Sequence, residues 1–519
     1  MPQRKQPRTL SDMSVEAYVN IYYNVCNRWN LDLYNAIQRC RRHYRYVKWR
    51  VMTEIEQTEQ TISKLAPLIQ SKICPKLASI FANNITFHFQ RNECVKRHRI
   101  FYEESHDELC VAMFRSVLTP SLYEFEPDMF SYIFTWFLVI RNLDSVPGLR
   151  ILSMNQTGDI IRSLSLSRRI IKVSALVATS LHQLKELQVF RFPGYCTDEV
   201  VRELGLNCPK LTEVSFINSQ GVTNASYPHL LSLRKLQFLD ITGTRINNFH
   251  YGQLLSRLPN IADVRFINKE DDLIRLIAPN TIDTITHVTN IVTDTNMQIQ
   301  KFPKTQKFIL KTPNVDLSAL TAWTELHTLE ILLGDYRKIN LNAVLMGIGH
   351  QLTVLILKRI TRLNLLDIIT LCKSLRNLDL YSCLILPVKA ATPLNLQLPH
   401  FRNLIYLKIK TSVQDRTDFS FIRYYLNLER IELLGIDIFT EEFMEEVINL
   451  GTLANLKECY ISETDKGALT LNVLEQLIHH CPNLKIFGHT KKLGLLNSEN
   501  VLRLKRELSE QNFDIDIIS

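Results

Sequence analysis

Apolar positions along this chain follow one recurring phrase: a leucine, two variable residues, a second leucine, one variable residue and a third apolar position. The clearest copy lies in residues 372–383, where Leu375, Leu378 and Leu380 alternate with Asn377, Asp379 and Tyr381. Alternation with period two over so short a run predicts a strand with one face in a core. One such strand cannot bury its own apolar edge, so the phrase gains meaning only by repetition. Its first position recurs at Leu149, Leu184, Leu211, Leu236, Ile261, Leu326, Leu352, Leu375, Leu404, Leu428, Leu456 and Leu484, with Ile282 and Thr305 as candidates in a blurred stretch between Ile261 and Leu326. Most clear neighbours lie 23 to 29 residues apart. This period predicts stacked parallel strands, one per repeat, in a continuous ladder from Leu149 to Leu484. Residues 197–206, 363–372 and 440–450 carry helical spacing between strands, which puts helices on the convex side. An amphipathic helix over 498–510 and an alternating strand over 513–518 then form a cap near 498–519.

The expected architecture is an α/β solenoid over 141–519, strands concave and helices convex, preceded by an α-helical domain over 1–140. In that domain Ser11 and Asp12 are good helix-start residues. Val15, Tyr18, Val19, Tyr22, Cys26 and Trp29 fall on one helical face, widened by Leu10, Met13, Ala17 and Ile21. Residues 38–50 interleave cations with aromatics. One reading is a docking patch for an acidic partner, RNA or acidic lipid. The plainer one, favoured because charge runs are commonly just solvated, is a helix with a solvated basic face and a buried aromatic face. Residues 65–73 and 75–81 read as a second helical unit. The most apolar run, 129–140, reads as a buried helix or strand and falls short of the roughly 20 residues that cross a bilayer.

Composition narrows the function. Of the formal charge of +9, residues 1–50 carry an excess of seven, ten Lys/Arg against three acids. The repeat array is therefore nearly neutral, and a nucleic-acid partner along its concave face is not expected. No apolar leader follows the basic N-terminus, and eleven cysteines without a C-x-x-C pair suggest reduced thiols in cytoplasm or nucleus. Fifteen glycines and the absence of phosphate-loop, metalloprotease and nucleophile-elbow motifs suggest a non-catalytic chain with no cofactor. Cys94, His98, His106 and Cys110 have a spacing that can close a zinc site, but each pair also fits an ordinary helix face, and no metal is assigned. His479-His480-Cys481 precedes a repeat, where Cys481 fills a packing slot.

Three segments, Cys208-Pro-Lys-Leu, Cys372-Lys-Ser-Leu through Cys383, and Cys481-Pro-Asn-Leu-Lys, resemble the cysteine-containing type of leucine-rich repeat. That type is familiar from F-box and elongin-BC-box leucine-rich-repeat proteins, the substrate receptors of cullin-RING ubiquitin ligases. The resemblance implies an α/β leucine-rich-repeat solenoid whose N-terminal helices recruit a Skp or elongin adaptor and a cullin. Residues 9–18 are similar to an elongin-binding box, with Leu10, Met13, Ser14 and Tyr18 as adaptor contacts. Val25, Cys26 and Trp29 resemble the late signature of an F-box, whose opening is echoed out of order at Leu65, Pro67, Ile80 and Phe81. The alternative for both boxes is the helical cap that a solenoid needs.

Without chemistry to host, function falls to the residues between the buried ones. Glu186, Gln188, Phe190, Glu213, Ser215, Phe238, Asp240, Asp263 and Arg265 are expected on the early concave strands, and Glu330, Lys358, Asn377, Asp379, Glu432 and Glu458 on the later ones. Among the later ones also stand Tyr381, Tyr406, Lys408, Lys410, Arg430 and Tyr460. Exposed tyrosine beside arginine and lysine is the composition of protein-binding hot spots, so these six are the expected contacts for a protein target. The plainer alternative is an ordinary solvated strand face.

Overall fold

The computed structural model describes residues 10–39, 41–65, 70, 111–116, 118, 120, 122–125, 139–154, 167–265, 273, 276–277, 284–289, 302–311, 316–386, 403–410, 419, 422–423, 425–436, 438–462, 470–489, 498–510 and 515–518. The four zinc candidates lie outside these residues, as do the second helical unit with its F-box echo, except Leu65 and Gln70, and all of the apolar run except its last two residues.

Two compact units are present, one built on residues 8–262 and the other on 263–519 apart from 275–281, which join the first. The first carries five parallel strands in chain order: β1 (Glu124–Phe125), β2 (Ile151–Ser153), β3 (Val189–Arg191), β4 (Glu213–Ser215) and β5 (Phe238–Asp240). The second carries eleven, also parallel and in order: β6 (Asp263–Arg265), β7 (His287–Thr289), β8 (Lys307–Lys311), β9 (Thr328–Asp335), β10 (Val354–Thr361), β11 (Asn377–Tyr381), β12 (Tyr406–Lys410), β13 (Arg430–Leu434), β14 (Glu458–Ser462), β15 (Ile486–His489) and β16 (Asp516–Ile518). One strand per repeat, each beside the next in sequence, is leucine-rich-repeat architecture. Among the described residues the ladder expected to be continuous is two sets of paired strands, β1–β5 and β6–β16, although the Ala262 N–H still donates to the Gln237 carbonyl at 3.1 Å, as the N–H leading into each earlier pairing does.

Leu211, Leu236, Leu326, Leu352, Leu375, Leu404, Leu428, Leu456 and Leu484 are all buried, as the alternation requires. Two expected positions shift. In β3 the register pairs Phe190 with Val214, so the aligned leucine is Leu187 and the strand is displaced by three from the frame begun at Leu184. Both leucines are buried, and the segment offers two overlapping fits. Phe190, expected on the concave face, therefore lies in the core. In the blurred stretch β7 begins at His287, which makes Ile285 the aligned position in place of Ile282.

Helices return the chain between strands, including Asp198–Asn207, Leu365–Leu371, Glu441–Leu450 and Leu471–His480. Thr440 and Thr470 cap the last two, their hydroxyl oxygens accepting from the backbone N–H of Phe443 and Val473 at 3.1 and 3.2 Å. Near the other strand end one register position is left-handed. Leu333 and Arg359, inside β9 and β10, and Ser382 and Gly435, directly after β11 and β13, hold equivalent places, with φ of 64°, 55°, 50° and 78°. Repeat cysteines serve as small apolar fillers: Cys208, Cys372, Cys383 and Cys481 are buried, and the Cys481 thiol faces the Leu453 carbonyl at 3.3 Å. Helix Ser498–Glu510 and β16 close the second ladder where a cap was expected.

The N-terminal part of the first unit is a helical hairpin of α1 (Leu10–Arg39) and α2 (Arg41–Ser63). Val19, Tyr22, Cys26, Trp29 and Ala36 of α1, with Val47, Val51, Ile55 and Ile62 of α2, form its buried stripes. The Trp29 indole donates to Glu54 Oε2 at 2.6 Å, and Arg28 reaches the same oxygen at 2.8 Å.

Candidate functional site

Alternation on β8–β14 sends one set of side chains under the helices and leaves three parallel rows on the open face, the concave side of this architecture. The first row runs Thr328, Val354, Asn377, Tyr406, Arg430, Glu458. The second runs Ile309, Glu330, Ile356, Asp379, Lys408, Glu432, Tyr460, and the third Lys311, Leu332, Lys358, Tyr381, Lys410, Leu434. All six residues expected to hold a target, Tyr381, Tyr406, Lys408, Lys410, Arg430 and Tyr460, therefore share this face on four adjacent strands.

Their side chains are tied to one another. The Arg430 guanidinium lies over the Tyr406 and Tyr460 rings at 5.4 and 5.1 Å from their centroids, a double cation–π contact. Glu432 and Glu458 neutralise it, with Arg430 Nε on Glu432 Oε1 at 3.0 Å and Nη1 on Glu458 Oε2 at 2.9 Å. Each tyrosine is anchored in turn: Tyr406 donates to Glu432 and Tyr460 to Glu458, both at 3.2 Å. Lys408 Nζ closes on the other Glu432 oxygen at 2.7 Å. On the third row Lys410 donates to the Tyr381 hydroxyl at 3.1 Å and lies 4.7 Å from its ring centroid. That bond and the Lys410 charge pull the Tyr381 phenol below its usual pKa. Burial alone would raise the Glu432 carboxyl, but the hydrogen bonds and charges of Lys408 and Arg430 outweigh it and hold it below the ordinary value.

Two residues of this site deserve separate notice. Asp379, between Ile356 and Lys408, has an Oδ1 that is buried and makes no hydrogen bond, and burial raises its pKa. Gly488 on β15 is the neighbour of Tyr460, and a Cβ there would stand 2.2 Å from Tyr460 Cδ1. The ring lies in the space a side chain would fill. Sequence reading passed over Gly488, although a glycine inside a strand often marks a close approach.

The adaptor residues inferred from the resemblance are divided. Met13 is exposed, Tyr18 and Val25 are half-buried, and the side chains of Leu10 and Ser14 lie outside the described residues. Cys26 and Trp29 are buried in the hairpin, where they pack α1 against its surroundings. The exposed stripe of α1 is instead Met13, Ala17, Ile21, Arg28 and Leu31. On α2 the buried aromatic face is replaced by its opposite: Tyr46 is 60% and Trp49 66% exposed, beside exposed Arg45. Val47 and Val51 take the buried positions.

The His479–Cys481 segment ends a helix and leads into a repeat, where Cys481 is buried. The His480 ring is tied to the Thr452 carbonyl at 2.6 Å, and burial pushes the Cys481 thiol up to about 12. Among the described residues no group of His, Cys, Asp and Glu could hold a metal ion, and no helix is long and apolar enough to cross a membrane.

Neither protein-family models nor curated proteins give a match. Among solved structures, an internalin from Listeria monocytogenes is 18% identical over 59% of this chain and 82% of its own, with a TM-score of 0.35. A chain of the yeast Rad7–Elc1 complex is 16% identical over 65% and 89%, at 0.40, and a leucine-rich-repeat protein of Leptospira interrogans 14% identical over 78% and 92%, at 0.31. The fold stands on the strand order and register above.

Proposed function

We propose that this protein is a non-catalytic recognition subunit that holds a protein target on the open face of β9–β14. The observation that carries this reading is the pre-ordered cluster Tyr406–Arg430–Tyr460 with its two glutamates. Aromatic and arginine side chains already fixed by neighbours lose little rotamer freedom when a partner arrives. Replacing Tyr381 and Tyr406 together by alanine abolishes target capture while circular dichroism stays unchanged; full capture by that double variant rejects the face.

The finer role we propose is that of substrate receptor in a cullin-RING ubiquitin ligase. Support comes from the resemblance of the cysteine-containing repeats and from an N-terminal hairpin that leaves Met13, Ala17 and Ile21 in one exposed apolar stripe of α1. An adaptor would meet that stripe and not Cys26 or Trp29. Co-purification from cells is expected to bring Skp or elongin and a cullin, and Ile21→Asp to remove them without loss of the target. A partner set lacking every such subunit leaves the alternative of a scaffold that joins proteins without ubiquitin machinery.

A second reading is favoured by exposed Arg45, Tyr46 and Trp49 on α2, the mix of cation and aromatic that stacks bases or sits at a lipid headgroup layer. It predicts steeply salt-dependent binding of single-stranded RNA or acidic vesicles that Trp49→Ala removes.

A further inference from the structure

The third row of the open face has a sharper character than the rest. Across six adjacent strands it reads Lys311, Leu332, Lys358, Tyr381, Lys410, Leu434: a cation on every second strand, an apolar or aromatic residue between, and no carboxylate. The second row answers with Glu330, Asp379 and Glu432 on the intervening strands. These acids sit deeper than their partners. The Glu330 side chain is 19% exposed against 34% for Lys358, which it meets at 2.6 Å, and Glu432 11% against 28% for Lys408. A partner approaching from solvent meets ammonium groups before carboxylates. Lys311 is exposed at one end of the lane.

We propose that this lane takes an acidic segment of a partner protein, lying extended across β8–β13 with its carboxylates about 10 Å apart and small or apolar residues between them. The spacing follows from geometry. Strands lie about 4.8 Å apart, so lysines on alternate strands stand roughly 10 Å apart, and a partner segment in the polyproline II conformation, with three residues per turn and about 3.1 Å per residue, returns a side chain to the same face after nearly that distance every third residue. Glutamates at every third position thus meet Lys311, Lys358 and Lys410 in turn, while the residues between them lie over Leu332 and Tyr381. This inference rests on the reading that the open face binds protein, and adds the chemistry and direction of what it binds.

The test uses the full chain and fluorescein-labelled peptides of four Glu-Leu-Gly units, the same peptide with lysine for glutamate, and one of identical composition with its glutamates adjacent. Fluorescence anisotropy is expected to show binding of the first, at least about tenfold weaker binding of the other two, and weakening with added salt. Lys311→Gln with Lys410→Gln, both on the open face, lowers affinity for the first peptide by at least about tenfold. Equal binding of the lysine peptide, no binding at millimolar concentration, or an unaffected double variant overturns the proposal. Capture of the proteins that co-purify with the wild-type chain separates the two levels. If Tyr406→Ala with Tyr460→Ala loses them while the lysine variant keeps them, the face stands and the lane falls. If neither variant loses them, both fall.

Discussion

Leu333, Arg359 and Ser382 hold a conformation that costs an L-residue roughly 1–2 kcal/mol, and none of them is glycine, although Gly435 fills the equivalent place after β13. The demand recurs at one register position of successive strands, so it is set by the repeat and not by the residue. Arg359→Gly is expected to stabilise the fold by about 0.5–1 kcal/mol, the relief of strain less the added entropy of the unfolded chain. Urea denaturation measures it, and a destabilised variant would show that the arginine side chain contributes more than its backbone costs. The two open-face carboxylates respond to pH with opposite signs. Glu432 has a folded pKa below its ordinary 4.5, so its contribution is full above that value and is lost as pH falls through the folded pKa. Asp379 has a folded pKa above its ordinary 3.8, so it withdraws stability as pH rises through the folded value. At pH 7 Glu432→Gln should therefore cost about 1–3 kcal/mol, a loss that shrinks below pH 4.5, whereas Asp379→Asn should be neutral or stabilising by up to about 1 kcal/mol. Urea midpoints from pH 3 to 8 separate them.

At the scale of the element, legibility followed period. Strands β9–β14 and their open-face residues could be assigned from sequence because leucine alternation there is strict and a one-residue slip would turn every side chain over. The register of β3 could not, since the segment around Leu184 and Leu187 satisfies two frames at once. On α2 the aromatic residues misled because amphipathic side chains sit as readily at an interface as in a core; Val47 and Val51 were the better guides. Gly488 shows how one element shapes the next. Its missing side chain lets the Tyr460 ring, and through it Arg430, settle against β15. Gly488→Ala is expected to cost about 1–3 kcal/mol by overpacking. In a Tyr460→Ala background the same change should cost far less, and a double-mutant cycle with no coupling would remove the glycine from the site.

For the whole molecule, the division of the described strands into β1–β5 and β6–β16 matters more than the number of repeats. In a stacked array stability passes from neighbour to neighbour, so the division into two sets of paired strands is where cooperativity is expected to end. A continuous ladder was the natural reading of a regular period, because the phrase at Ile261 differs little from its neighbours in sequence. Among the described residues seven buried thiols report on the consequence: Cys26, Cys196 and Cys208 belong to the first unit, Cys372, Cys383, Cys459 and Cys481 to the second. Burial raises every one of them, with Cys208, Cys372 and Cys481 at about 12 and Cys383 at about 11, so in the folded chain they are inaccessible and protonated at pH 8. Alkylation at each site then tracks the opening of its own unit. With iodoacetamide pulses across a urea gradient, read by peptide mass spectrometry, the labelling midpoints should fall into two groups that divide between Cys208 and Cys372. A single midpoint shared by all seven would mean that the two sheets unfold as one cooperative body.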